Sequence, residues 1–188
     1  VQTCALPISI PIVFSVVGDP VGAGLAANLA KPGGNATGLT ALGSDLGGKR
    51  LEILKEIRPK ITRVAVLWNS TVPDKVIEYR NIEAPARALK ITLQSVEVRT
   101  PKDFDTAFDT MRRAKPDAIL ALGEPLVFTQ IKRLAEFQLE HRIPGMSNWR
   151  QAVEVGGLIG YGPDIVDLSR RAAAYVDKIF KGAKPGED

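Results

Sequence analysis

The sequence predicts an α/β fold: a doubly wound parallel sheet with strand order 2-1-3-4-5, together with part of a second, similar lobe. The first observation is the run Val64–Leu67, which is continuously apolar. A strand without polar alternation is typical of a sheet covered by helices on both faces. The second is that short apolar runs alternate with helical periodicity from there onward. A repeated βα unit implies right-handed crossovers and parallel strands.

The residues before this region hold few predicted elements. They are strands over 10–17 and 37–41 and a short helix with Val21, Leu25 and Leu29 on one face. This is too little to bury its own faces, so residues 10–42 are interpreted as a fragment of a first lobe and a hinge. Residues 1–9 show no periodicity and are predicted to be a disordered or foreign leader.

Residues 43–162 are predicted to form a complete second lobe, and 163–188 a C-terminal helix and tail. The predicted strands centre near residues 64, 93, 118, 144 and 158. Before the first of these strands, a helix is predicted from a cap at Ser44 or Asp45 to Arg58. Between the strands, one helix is predicted over 74–90, a second begins after a capping Thr100, a third ends at about His141, and a short fourth covers 150–155. Expected inward residues include Leu51, Leu54, Ile57, Phe128, Ile131, Leu134 and Ala135. Pro85 is expected to kink or split its helix.

Composition excludes several classes of function. The chain has 188 residues, 45% of them apolar, and a net charge of +4 whose basic residues are interspersed with acids. That mixture predicts a solvated surface, with no nucleic-acid partner. Cys4 and His141 are the only residues of their types, so no metal site and no His-dependent triad is expected. The apolar run over 10–17 is shorter than the roughly 20 residues of a membrane span.

Polar or aromatic residues follow four of the five predicted strands of the second lobe. They are Trp68, Asn69, Glu124, Ser147 and Tyr161. Carboxyl ends of parallel strands form the usual ligand edge of an α/β sheet, and helix N-termini there offer free N–H groups to an anion. No base and nucleophile pair is evident, so the edge predicts binding without catalysis and without a cofactor.

A dinucleotide fingerprint is the alternative at the first predicted strand. Gly22, Gly24 and Ala27 fit G-x-G-x-x-A, and Asp45 follows about 20 residues later. Four residues separate the strand from the glycines, however, and no second strand arrives before Pro32. An NAD(P)-dependent oxidoreductase is therefore a second hypothesis, and a ligand-sensing regulatory domain is a third.

The blocks GDPV, PGGN-x-TG and GGL-x-x-YG-x-D, with GKRLEILKE, RVAVLWN and DAILAL, resemble the ABC transporter substrate-binding proteins. That family includes the tryptophan and aromatic amino-acid binding proteins, and the resemblance covers about Ile10 to Lys184. It implies a type I periplasmic binding protein, in which two lobes joined by hinges close on a solute. The hinges are expected over 37–42 and 160–164, and the chain is predicted to be a truncated member.

The resemblance also implies binding residues and partners. The implied ligand-binding residues are Asp19, Pro20, Ser44, Asp45, Glu124, Ser147, Tyr161 and Asp164. Where relatives have Asp-Asn, this chain has Glu124-Pro125, so the resemblance does not name the solute. The expected function is that of the extracytoplasmic solute-binding component of an ABC importer, which binds an amino acid or a related compound between two lobes and works with an ABC permease. The expected location is the periplasm, or the cell surface as a lipoprotein.

Overall fold

The computed structural model describes residues 10–41, 43 and 45–186, which form two compact units. Unit 1 combines the described residues of Val1–Leu42 with those of Pro163–Asp188, and unit 2 is Gly43–Gly162. The strands are β1 Ile12–Val17, β2 Ala36–Thr40, β3 Arg63–Trp68, β4 Thr92–Glu97, β5 Ala118–Ala121, β6 Gly145–Ser147 and β7 Ile159–Gly160. The helices are α1 Gly47–Ile57, α2 Pro73–Ala88, α3 Asp103–Ala114, α4 Pro125–Thr129, α5 Ile131–His141, α6 Gln151–Glu154 and α7 Ile165–Phe180.

Unit 1 is a parallel pair of strands, β1 and β2, with α7 packed against it. Leu168 and Ala172 are the buried residues of α7. The predicted helix with Val21, Leu25 and Leu29 on one face is wrong, because this segment consists of turns.

Local hydrogen bonds explain why that helix does not form. The Asp19 carboxylate accepts from the Gly22 N–H at 2.8 Å, and Gly24 has φ +70°, outside the helical region. The Asn28 side chain accepts from the N–H groups of Ala30 and Lys31. Asp and Asn side chains that bond nearby backbone compete with a helix, and glycine lowers helix propensity further. The helical spacing of three apolar residues was too weak to outweigh these effects.

Unit 2 contains a five-stranded sheet in the order β4-β3-β5-β6-β7, and all four neighbouring pairs are parallel. Numbered from β3, this is the order 2-1-3-4-5, so the predicted fold class and strand order are confirmed. β3 is central in the hydrophobic core. Val64 and Val66 pack on the side of α1 and α2, and the alternate residues Ala65 and Leu67 are also fully buried. Burial of both faces is the reason that this strand lacks polar alternation.

Several details of the predicted helices are corrected. The helix before His141 is two helices, because α4 ends and α5 begins at Gln130. Phe128 and Ile57 are 39% and 55% exposed, so neither is a core residue. The remaining expected inward residues are buried; they are Leu51, Leu54, Ile131, Leu134 and Ala135.

The predicted helix caps also differ from the structure. The residue before α1 is Leu46, so Asp45 is not the cap, and Ser44 lies outside the described residues. Thr100 does not cap α3. Instead the Asp103 carboxylate accepts from the N–H groups of Arg99 and Thr100. α2 continues through Pro85 and ends three residues later.

Asp117 joins the beginnings of β3 and β5. Its Oδ2 accepts from the N–H groups of Thr62 and Arg63, both at 2.9 Å, and from the Thr62 hydroxyl at 3.1 Å. The backbone N–H of Thr62, together with that of Arg63, holds the pKa of Asp117 below its ordinary 3.8. A carboxylate whose pKa is depressed on folding stabilises the protein above its unfolded-state pKa.

We expect Asp117→Asn to lower the free energy of unfolding by about 1 kcal/mol near neutral pH. The difference from the unsubstituted protein should shrink as the pH falls through the depressed pKa of Asp117, because protonation removes the same carboxylate. Urea unfolding at several pH values measures this. Asp109→Asn, which alters an exposed pair with Arg112, is the control and should change stability by less than about 0.5 kcal/mol. A constant difference across the acid range would contradict the expectation.

Candidate functional site

The carboxyl ends of the unit 2 strands lie along one edge of the sheet. Leu67 pairs with Ala121, Ala121 with Ser147, and Ser147 with Gly160. The residues that follow these positions therefore share an edge, which we call the carboxyl edge. In open parallel α/β sheets this is where ligands bind. Of the predicted site residues, Asn69, Glu124, Ser147 and Tyr161 lie here.

Trp68 belongs to the core and not to the surface of this edge. The residue is 7% exposed, and its ring stacks on Tyr79 with the ring centroids 4.7 Å apart. Its indole N–H donates to the Ser95 hydroxyl at 2.8 Å. Trp68 shares a strand face with Val64 and Val66 because alternate residues of a strand point the same way. A residue so buried offers little ring surface to a ligand, and this argues against the prediction that a ligand packs on Trp68.

Two polar side chains of the edge shape their own loops. The Asn69 Oδ1 accepts from the N–H and hydroxyl of Thr71, at 3.0 and 2.7 Å. The Glu124 carboxylate caps α4 by accepting from the N–H groups of Leu126 and Val127, at 3.0 and 2.9 Å. Both residues are 6% exposed. A carboxylate has about four acceptor positions, so Glu124 retains capacity for a ligand donor.

The side chains of Ser147 and Tyr161 make fewer hydrogen bonds than those of Asn69 and Glu124. The Ser147 hydroxyl is buried without a hydrogen-bond partner among the described residues, and Ser147 lines a cavity of about 10 Å³ against α5. Tyr161 is 36% exposed. Asn148, which follows Ser147, is well satisfied when its amide donates to the Ala121 carbonyl and accepts from the Gly123 N–H, each at 3.2 Å.

The predicted residues of unit 1 also carry local hydrogen bonds. Asp19 and Pro20 follow β1, and the Pro20 carbonyl accepts from the N–H groups of Leu25 and Ala26. The Asp164 carboxylate caps α7 by accepting from the N–H groups of Val166 and Asp167. Asp45 lies in an exposed turn before α1 of unit 2.

Glycines bring the last strand of unit 2 close to the backbone that follows β6. A Cβ atom at Gly160 would lie 2.5 Å from the Trp149 carbonyl oxygen, and one at Gly162 would lie 2.2 Å from the Asn148 carbonyl oxygen. No other residue type fits at these distances. The glycines of the GGL-x-x-YG block thus let the backbone around Tyr161 approach the Asn148 loop.

Sequence reasoning missed a buried ion cluster, which consists of Arg50, Asp74, Lys75 and Glu78. Arg50 and Glu78 have fully buried side chains, and the Arg50 Nη1 donates to the Glu78 Oε1 at 2.9 Å. The Lys75 Nζ lies 2.5 Å from the Glu78 Oε2 and 3.0 Å from the Asp74 Oδ2. The sequence did contain a signal for this cluster, because Lys75 and Glu78 lie at helical spacing from Ile82 and Ala86, the other buried residues of α2.

Burial and charge act in opposite directions on the cations of the cluster. Burial lowers the pKa of Arg50, and the Glu78 carboxylate opposes that change. Burial also acts to lower the pKa of Lys75, but the carboxylates of Glu78 and Asp74 outweigh it and raise the pKa above its ordinary 10.5. Lys75 therefore stays charged near neutral pH. Arg50 is charged there because a guanidinium is not deprotonated in proteins.

The dinucleotide hypothesis and metal binding gain no support. The Gly22–Ala27 segment forms turns, so the helix that must follow the glycines is absent and β2 arrives without a crossover helix. Across 10–41, 43 and 45–186 there is no group of three or more His, Cys, Asp or Glu residues that could hold a metal ion. No helix in that part of the chain is long and apolar enough to cross a membrane.

A doubly wound lobe with this strand order is the fold of type I periplasmic binding proteins, and similar solved structures have it. The chain belongs to the ABC transporter substrate binding protein family, whose model matches residues 2–187. A curated relative is the tyrosine-binding protein of Clostridioides difficile (strain R20291). It is 26% identical over 179 residues, which cover 95% of this chain and 51% of the relative. The chain thus spans about half the length of that relative.

Two solved structures illustrate the likeness. A conserved domain protein from Vibrio cholerae has a TM-score of 0.86 and 29% identity, covering 96% of this chain and 60% of its own. The ABC domain from Streptococcus pneumoniae in complex with L-Trp has a TM-score of 0.81 and 23% identity, covering 95% and 59%. The second likeness supports the fold alone.

Proposed function

We propose that this chain is part of the extracytoplasmic solute-binding component of an ABC importer, and that it binds an aromatic amino acid. Membership of the family over residues 2–187 is the observation that carries the proposal. The relative from C. difficile is described as tyrosine-binding, and the S. pneumoniae domain was solved with L-Trp. The partner is then the permease of the same transporter, and the protein lies in the periplasm or on the cell surface.

The carboxyl edge of unit 2 forms one wall of the proposed site. In this proposal the Glu124 carboxylate accepts from the ligand amino group, because it has acceptor capacity beyond its two backbone hydrogen bonds. The Ser147 hydroxyl, which has no partner among the described residues, bonds a polar atom of the ligand. The exposed ring of Tyr161 is the aromatic surface that we assign to the ligand side chain, in place of Trp68. The chain spans about half the length of its curated relative, so the site as a whole is proposed for the complete protein.

Binding should raise the melting temperature of the complete protein. A ligand that binds only the folded state adds about 2.7 kcal/mol at 100 times its dissociation constant. We expect L-tyrosine or L-tryptophan to give the largest increase in a thermal shift assay with a panel of amino acids. Tryptamine and indole are the matched ligands, because tryptamine lacks the carboxylate and indole lacks both polar groups. Neither should shift the melting temperature comparably.

Two outcomes would overturn this proposal. One is the absence of any shift across the panel at millimolar concentration. The other is a fluorescence response to NAD(H) that amino acids do not compete away, which would favour the oxidoreductase hypothesis.

A further inference from the structure

The Arg50 side chain contacts both ends of unit 2. Gly43 and Gly162 are the first and last residues of that unit. The Arg50 Nη1 donates to the Gly43 carbonyl at 3.2 Å, and its Nε donates to the Tyr161 carbonyl at 2.9 Å. One guanidinium therefore spans the points where the chain begins and finishes this lobe.

Within the buried ion cluster, Glu78 is the residue that holds that guanidinium in place. The Glu78 carboxylate accepts from the Arg50 Nη1 on one oxygen and from the Lys75 Nζ on the other. Arg50 and Glu78 are 0% exposed, so neither can satisfy its charge with solvent. A buried ion pair is weak evidence for stability, since apolar residues of similar volume often do as well. Its geometry is the more informative property.

The contacts of Arg50 reach the candidate site through the backbone. The Tyr161 carbonyl is bound by Arg50, and the Tyr161 N–H donates to the Ser147 carbonyl at 2.9 Å. Tyr161 and Ser147 are both residues of the proposed site. The position of the Tyr161 ring at the carboxyl edge thus depends on a side chain that does not itself reach the surface.

We propose that Arg50 is a positioning residue: it ties the two ends of unit 2 together beneath the carboxyl edge and sets Tyr161 for ligand binding. The ligand part of this inference rests on the proposed function, whereas the tie itself does not. Arginine suits the role because its planar guanidinium donates in several fixed directions. A lysine at position 50 would keep the charge next to Glu78 but has no fork to reach both carbonyls.

The test compares Arg50→Lys and Arg50→Met with Lys75→Met in the complete protein. Lys75→Met is the matched control, because it removes a buried cation that pairs with Glu78 but donates to neither carbonyl. The readouts are the NMR carbonyl-carbon shifts of Gly43 and Tyr161 and the exchange rate of the Tyr161 amide. Both Arg50 variants should change both shifts together and raise the exchange rate roughly tenfold, the effect of about one lost hydrogen bond. Lys75→Met should leave both carbonyl-carbon shifts unchanged and the exchange rate of the Tyr161 amide within about twofold of that of the unsubstituted protein.

Arg50→Lys keeps the inference falsifiable if Arg50→Met does not fold. Unchanged carbonyl shifts in Arg50→Lys, or equal changes in Lys75→Met, would overturn the tie. For the complete protein with its ligand, Arg50→Lys should also weaken affinity roughly tenfold while Lys75→Met leaves it within about twofold. If the protein binds no amino acid, the proposed function fails, but the carbonyl shifts still decide whether Arg50 is the tie.

Discussion

Replacing Glu78 with glutamine should lower the free energy of unfolding by about 3–5 kcal/mol, because it leaves two buried cations with one partly exposed partner. Glu78 is the acceptor for both Arg50 and Lys75, and its side chain is fully buried. Asp74 contacts only Lys75 within the cluster and is 27% exposed. Glutamine preserves the shape, so the loss reports the charge and not a cavity.

Chemical denaturation of Glu78→Gln measures this effect. Glu52→Gln is the matched control, because it makes the same change in an α1 pair with Lys49 whose side chains are about half exposed. An exposed pair of this kind contributes less than about 0.5 kcal/mol. A loss below about 1 kcal/mol in Glu78→Gln would show that solvent or a local rearrangement compensates the buried cations.

The second large effect is expected for Gly162→Ala. The new Cβ atom would lie 2.2 Å from the Asn148 carbonyl oxygen and 3.1 Å from its carbon. Both are backbone atoms, so no side-chain rotation relieves the overlap. We expect a loss of about 1–3 kcal/mol, typical of inserting a methyl group where there is no space. The displacement also moves Tyr161, so ligand affinity in the complete protein should fall.

Gly43→Ala controls for the change from glycine to alanine itself. Its Cβ atom would lie 3.6 Å from the Glu78 Oε2 and 3.7 Å from the Lys75 Nζ, which are ordinary contacts. Its stability should change by no more than about 0.5 kcal/mol. Equal melting temperatures for the two variants would refute the close approach at Gly162.

Strong local patterns predicted most of unit 2. Val64–Leu67 is apolar at every position because helices cover both faces of β3, and that pattern needs no tertiary information to recognise. The βα alternation then restricts the topology, since crossovers between parallel strands are right-handed. The residues of the carboxyl edge were also predictable, because residues that follow parallel strands lie at the same edge of the sheet.

Predictions failed where local signals competed or where contacts are distant in the chain. At Val21–Leu29, three apolar residues have helical spacing, but no helix forms. Glycine lowers the helix propensity there, and Asp and Asn side chains accept hydrogen bonds from the backbone N–H groups. Trp68 ends a strand, which predicts a position at the edge, but its side chain alternates with that of Leu67 and its ring packs on Tyr79.

The sequence by itself determined the class of fold, the parallel strand order and the family, because each is written in local hydrophobic periodicity or in contiguous motifs. Only the tertiary structure decided which polar residues are buried together. Arg50 lies 28 residues from Glu78 and 111 from Tyr161, and their charges and carbonyls meet only after α1, α2 and β7 have packed. Burial then makes those few contacts strong and directional, since no water competes for them.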